Sequence, residues 1–504
     1  MQREEHGLTR STDLRTGSGL LVPRRTLLKG GAALGLSTVL GAPFINRLRA
    51  QESHPLAGQS IQMNILGIAG WVPSSLGVKM SPLFADYVKE RYGYDVSFNF
   101  QEAPFADLFQ KAATSLVTRS QEFNIIISDS QWLGALAQPG WILKLNDVIA
   151  ENPALDIEWY SKTVVDTYMT YPDGSQDIWG LPQEGDVEAL FVRKDWLDDP
   201  AEREAFKAKY DVDLPSTFED FENLTMDEFE KIADFFTRPD EQRWGFAQQY
   251  SRVYDFATCA FNNFLWSRGG ELWNPETGQV EGVLNTPENA ASLEEYKRWL
   301  KYCPPGATNI GIAEGIDVFT QSKVFATIQW AAVGPAMITE ELQGKVLVVP
   351  PPKHQAPGAE AKRIYSMGGQ PWVINAFNDE QKMRVAIDFM NWWYQPETAL
   401  EFARRGGNPC DKATLSRADF NDINPWNRTY KFMLEDGRSQ DFWHDPKYSE
   451  MLSVQQEGYS SFVTGQSTDA QAVMDYIACA QQQILHDSGT ATEPPSDSCA
   501  MTSL

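Results

Sequence analysis

Between residues 60 and 127 the chain changes its hydrophobic period four times, and this restricts the fold more than any other feature of the sequence. Residues 60–67 alternate apolar and polar side chains and then meet Gly67, which predicts a strand followed by a loop. Residues 82–91 place Leu83, Phe84, Tyr87 and Val88 at helical spacing. Residues 95–100 alternate again, with Val96, Phe98 and Phe100 on one side, and residues 105–118 read as a second amphipathic helix. The run Phe123-Asn124-Ile125-Ile126-Ile127, closed by Ser128-Asp129-Ser130, reads as a short buried strand. Strands alternating with helices predict an α/β layer on a mainly parallel sheet.

Further along, residues 178–182 and 188–192 read as a strand pair. Thr225 is a suitable N-cap for a helix over 226–236, residues 345–349 form a buried strand stopped by three prolines, and 381–394 is a helix. The polar, proline-containing segment 487–504 reads as a disordered tail. At the other end, Pro23-Arg24-Arg25-Thr26-Leu27-Leu28-Lys29 precedes a weakly apolar, Gly/Ala-rich stretch. This order resembles a twin-arginine export signal occupying residues 1–50 and ending near Ala50. No cysteine lies in that segment, so no lipid anchor is expected, and the mature protein should be soluble and periplasmic.

A formal charge of −25 repels phosphate backbones, so no nucleic-acid partner is expected. The five cysteines show no C-x-x-C spacing and the five histidines are scattered, which argues against a metal site, a cofactor or a His-based triad. Phosphate-loop, zinc-protease, nucleophile-elbow and dinucleotide motifs are missing. A glycosidase needs only two carboxylates, and 68 Asp and Glu leave that alternative open.

Six segments then fall in a familiar order. They are Phe123–Trp132 with Gln138–Asn146; Trp179-Gly180-Leu181-Pro182 with Arg193-Lys194-Asp195-Trp196-Leu197; Pro215-Ser216-Thr217-Phe218-Glu219-Asp220; Phe325-Ala326-Thr327-Ile328-Gln329-Trp330; Gly368-Gly369-Gln370-Pro371-Trp372-Val373-Ile374; and Gly406-Gly407-Asn408-Pro409. Together they resemble the family 1 extracellular solute-binding proteins, the maltose-binding-protein-like receptors of ATP-binding-cassette importers. The resemblance implies an α/β, two-lobe periplasmic-binding-protein fold (type II) with a ligand cleft between the lobes. Lobe one would comprise residues 58–178 and 368–415, and lobe two 179–367 and 416–486. It further implies a monomer, not an enzyme, that captures a small-molecule ligand, a carbohydrate or polyol, by hinge closure. The ligand would pass to a membrane permease, and the twin-arginine translocase would be a partner during export.

Candidate ligand contacts follow from that layout. Trp71 succeeds the first strand, and Ser130 and Trp132 follow another strand end, where Asp129 reads as a helix cap. Asp186, nine residues before Asp195, matches the spacing of a pocket carboxylate in the maltose-binding relatives, and the neighbouring Glu184 is a candidate beside it. Tyr250, Trp266, Gln329 and Trp330 would supply an aromatic shelf and an amide from lobe two, and Gln370 and Trp372 lie at a lobe crossing. Polyamine and ferric ligands remain alternatives; a cationic ligand would need an acidic cage around Asp129, Glu184 and Asp186.

Overall fold

Among the described residues of the computed structural model, 54–435 and 437–499, nine strands are linked by continuous pairing. Residues 1–50, expected from the sequence to be a twin-arginine export signal, lie outside the described residues. Strands β1 (Ser60–Ile68), β2 (Asp95–Ala103) and β3 (Ile125–Ile127) are mutually parallel, with β1 central. The next two strands by sequence, β4 (Leu181–Arg193) and β5 (Trp244–Ala247), belong with β6 (Val324–Trp330) and β7 (Val346–Val349) in a second half. The long β8 (Tyr365–Ile374) is antiparallel to both β3 and β4, and β9 (Ser439–Gln440) pairs with its start.

The two halves are joined chiefly by β4 and β8. Residues 181–187 of β4 pair with β8, whereas 188–193 pair with β6 and β7. One strand therefore passes from one sheet into the other, and the parallel expectation holds only away from these crossings. The sequence reading of residues 178–192 as a strand pair is corrected: β4 is one strand, buried along its whole length. Gly185 within it serves packing, since a Cβ there would lie 2.6 Å from Tyr430 Oη and 2.8 Å from Cys410 Sγ.

Helices cover the sheets much as the periodicity predicts, with instructive exceptions at proline. The first helix runs over Val72–Tyr92, ten residues longer at its start than expected, and contains Pro82. Proline cannot donate to the carbonyl four residues back. That carbonyl, Val78 O, instead accepts from Ser81 Oγ at 2.8 Å. The helix Met226–Phe236 begins as expected at Thr225, whose hydroxyl accepts from Glu228 N while Glu228 Oε2 accepts from Thr225 N.

The expectation of a disordered tail from 487 is also corrected for residues 487–499. The last helix, Ala470–Ser488, extends into it, Ala491 is buried, and Gln482 Nε2 donates to Glu493 O at 2.8 Å. A Cys479–Cys499 disulfide closes a loop with a sequence separation of 20. Closing a loop of that size contributes about 3 kcal/mol through the unfolded chain's entropy. Polarity misled here because a covalent tie makes up for a small apolar surface. Cys259, Cys303 and Cys410 are free and buried.

Candidate functional site: the cleft between the two halves

In open α/β sheets, ligands bind beyond the carboxyl ends of the strands. Here those ends converge on one cleft, with about 340 Å³ of space between atoms when the adjoining open solvent is included. Trp71 follows β1, Phe105 follows β2 and Asp129 follows β3; from the other half come Tyr254, after β5, and Trp330, the last residue of β6. The crossing strands contribute Asp186 from β4 and Gly368, Gly369 and Gln370 from β8.

The two glycines permit close approach of the crossing strands to each other and to Trp330. A Cβ on Gly368 would lie 2.9 Å from the Trp330 ring, and one on Gly369 would lie 2.8 Å from Asp186 N. Gly369 also has φ +105°, a conformation that L side chains rarely adopt. Across the cleft floor, Trp71 Nε1 donates to Gln370 Oε1 at 2.7 Å and to Glu184 Oε1 at 2.8 Å. The two halves also touch at the rim: Tyr254 Oη donates to Asp129 Oδ2, and the Tyr254 ring stacks on Phe105 with centroids 5.4 Å apart.

Strand periodicity explains the carboxylates. Glu184, Asp186 and Glu188 occupy alternate positions of β4, which places them on one face. Asp186 Oδ1 accepts from Val187 N at 2.9 Å and Ala332 N at 3.0 Å, while Oδ2 has no partner. Burial raises the pKa of each: Glu184 and Asp186 well above the carboxylate range, and Glu188 to about 8. Asp129 is pushed up to about 7, chiefly by burial, against the opposing bond from Tyr254. Asp255 is raised well above its ordinary value by burial and by the nearby Asp129.

Of the eleven sequence candidates, the structure brings Trp71, Asp186, Trp330 and Gln370 to the cavity wall, with Glu184 one hydrogen bond behind. It does not bring the other six. Trp132 packs behind the wall, 5.4 Å from Phe109 and 6.1 Å from Tyr254, and Ser130 is buried in the same short turn. Their neighbours Asp129 and Gln131 line the cavity instead. Asp129 does cap the turn, accepting from Ser130 N at 3.0 Å, so capping and cleft exposure coexist. Tyr250 stacks on Tyr296 and donates to its carbonyl. The Gln329 amide is held by backbone, its Nε2 donating to Ile312 O at 3.2 Å and its Oε1 accepting from Trp330 N at 3.3 Å. Trp266 ends a helix, Phe256–Ser267, whose first residue lines the cavity; ten residues of helix put it about 15 Å along the axis. Trp372 lies between Phe389 and Trp393 in the core. Sequence reasoning missed Phe105, Gln131, Tyr254, Asp255, Phe256 and Ile312, and it missed Glu188 behind the wall. Alternation in Glu184-Gly185-Asp186-Val187-Glu188 was the available signal for the last.

Two α/β halves sharing long crossing strands, with an aromatic and polar cleft at their strand ends, define a two-lobed binding protein. The chain belongs to the bacterial extracellular solute-binding protein family, whose model matches residues 73–400. Its fold is similar to that of a solute-binding protein of an ABC transporter from Agrobacterium radiobacter K84 in complex with ribitol. That likeness has a TM-score of 0.68 and 19% identity over 85% of this chain and 100% of that one. It is also similar to maltose-bound MalE3 of T. maritima, with a TM-score of 0.69 and 19% identity over 84% and 100%. A third likeness is to an ABC transporter solute-binding protein of Agrobacterium vitis S4 with bound D-mannitol, with a TM-score of 0.64 and 15% identity over 86% and 99%. The family and these neighbours are binding proteins rather than enzymes. No helix among the described residues is long and apolar enough to cross a membrane.

Proposed function

We propose that the protein is an exported receptor that captures a carbohydrate or polyol between its halves and delivers it to the membrane permease of an ATP-binding-cassette importer. The observation that carries this reading is the cleft wall itself. Indole and phenyl rings from both halves stand beside hydrogen-bonding side chains, an arrangement suited to apolar ring faces and hydroxyl edges. Ribitol, maltose and D-mannitol in the similar structures support the same ligand class. In this reading residues 1–50 are a twin-arginine signal read by the translocase, and the mature protein is a periplasmic monomer without catalytic residues. Lobe one comprises 58–178 and 368–415 and lobe two 179–367 and 416–486, so that closure about β4 and β8 encloses the ligand. Trp71, Asp186, Trp330 and Gln370 contact it.

Trp330→Ala tests the assignment. Burying a large apolar side chain is worth about 1.5–3 kcal/mol. The variant should therefore bind ten- to a hundredfold more weakly the one of ribitol, D-mannitol or maltose that most raises the wild-type melting temperature. Calorimetric titration and urea unfolding of the same variant are the measurements. A folded variant with unchanged affinity removes Trp330 from the site.

A further inference from the structure

We propose that the ligand is a hydroxylated amine, whose ammonium group sits against Asp186 between Asp129 and Asp255, under the aromatic rings of the cleft. The inference rests on the receptor reading above and narrows its ligand class.

Charge is the first support. Three carboxylic side chains, Asp129, Asp186 and Asp255, line the cavity, and no Lys, Arg or His does among the described residues. Glu184 and Glu188 share the face of β4 that carries Asp186 and are fully buried behind the wall. Such a group of like charges is stable in the empty protein only by holding protons, and a bound cation favours the ionised form instead.

Hydrogen-bond polarity is a second, independent support. The buried lining side-chain atoms without a partner are Asp186 Oδ2 and Gln131 Oε1; the Gln131 oxygen can only accept, and the Asp186 oxygen does so once a bound cation has displaced its proton. Both residues are almost fully buried, at 1% and 2% exposure. The orientation of the Gln131 amide is fixed, because its Nε2 donates to Asp441 Oδ1 at 3.1 Å. Behind the wall, Glu184 Oε2 and Glu188 Oε1 are likewise without a partner. A buried acceptor left without a donor is destabilising. A hydroxyl offers one donor, whereas an ammonium offers three and no acceptor. The rings of Trp71, Tyr254 and Trp330 complete the setting, since aromatic faces attract a desolvated cation and still stack on a carbon skeleton.

The test uses pairs that differ only in one group: D-glucitol against 1-amino-1-deoxy-D-glucitol, and D-glucose against D-glucosamine. Putrescine is included as an amine without hydroxyls. Calorimetric titration at pH 7 and low salt should show the amine member binding at least tenfold tighter than its hydroxyl partner. Asp186→Asn should abolish that preference, and Asp255→Asn serves as the second variant if the first does not fold. Equal or tighter binding of the hydroxyl members overturns the charge assignment and leaves the polyol receptor standing. Binding of putrescine alone upholds the cation seat and overturns the polyol reading. Absence of binding by every compound overturns both, and an amine preference that survives in both variants overturns the assigned seat.

Discussion

Glu188→Gln should leave the ligand-free protein about as stable as the wild type at pH 4 and more stable at pH 9, by roughly 3–5 kcal/mol. Glu188 is fully buried on β4, where Oε2 accepts from Asn263 Nδ2 and Oε1 has no partner. Burial, reinforced by Asp186 and Asp255, raises its pKa from 4.5 to about 8. The folded state therefore binds a proton over a range in which the unfolded chain releases it. The stability this gives is complete below pH 4.5 and is lost as pH rises through 8. Glutamine resembles the protonated acid in shape and cannot ionise, so the variant escapes the loss. Urea unfolding of both proteins between pH 4 and 9 measures the difference. A difference that does not change with pH would show that Glu188 has an ordinary pKa in the folded protein.

Gly369→Ala should lower stability by about 2–4 kcal/mol, the range for a strained backbone conformation combined with overpacking. The new Cβ would meet Asp186 N and Tyr168 Oη at 2.8 Å and Glu184 O at 2.9 Å, at a residue with φ +105°. Backbone atoms of a paired strand cannot move aside as a flexible side chain can. Gly269 supplies the control, because its φ is +87° and nothing lies within 4 Å of its would-be Cβ. Gly269→Ala should cost only about 1 kcal/mol, the backbone penalty alone. Equal losses in the two variants, measured by urea unfolding, would mean that close approach of β4 and β8 is not what requires glycine at 369.

The sequence revealed the layers of the fold better than the wall of the cleft, and the reasons are local. The alternation of β1, the helical spacing around Phe105 and the Thr225 cap are set by neighbours in sequence, so periodicity exposed them. β4 was misread because Pro182 and Gly185 usually interrupt strands. Here they sit in a crossing strand where packing against Tyr430 and Cys410 requires a missing side chain. Site residues depend on direction as well as position. Asp129 and Gln131 face the cavity while Ser130 and Trp132 between and beyond them do not, and Gln329 faces opposite to Trp330. Trp372 is two residues beyond Gln370 on the same face of β8. That rise of about 7 Å carries it from the cleft to beneath the helix Glu380–Trp393. Tyr254-Asp255-Phe256 gave no periodic signal, because their place at the cleft comes from the loop joining β5 to the next helix.

Hinge closure on a ligand can be read as a distance between the halves. Leu83 lies exposed on the helix Val72–Tyr92 that packs on β2, and Val212 lies exposed after the helix Pro200–Tyr210 of the other half. The three free cysteines are buried, so nitroxide labels on Leu83→Cys and Val212→Cys can be attached selectively. Pulsed electron resonance should give a broad distance distribution for the ligand-free protein. It should give a narrow, shifted one when the protein is saturated with the tightest-binding compound of the titrations above. Identical distributions with and without that compound would contradict capture of a ligand between two closing lobes.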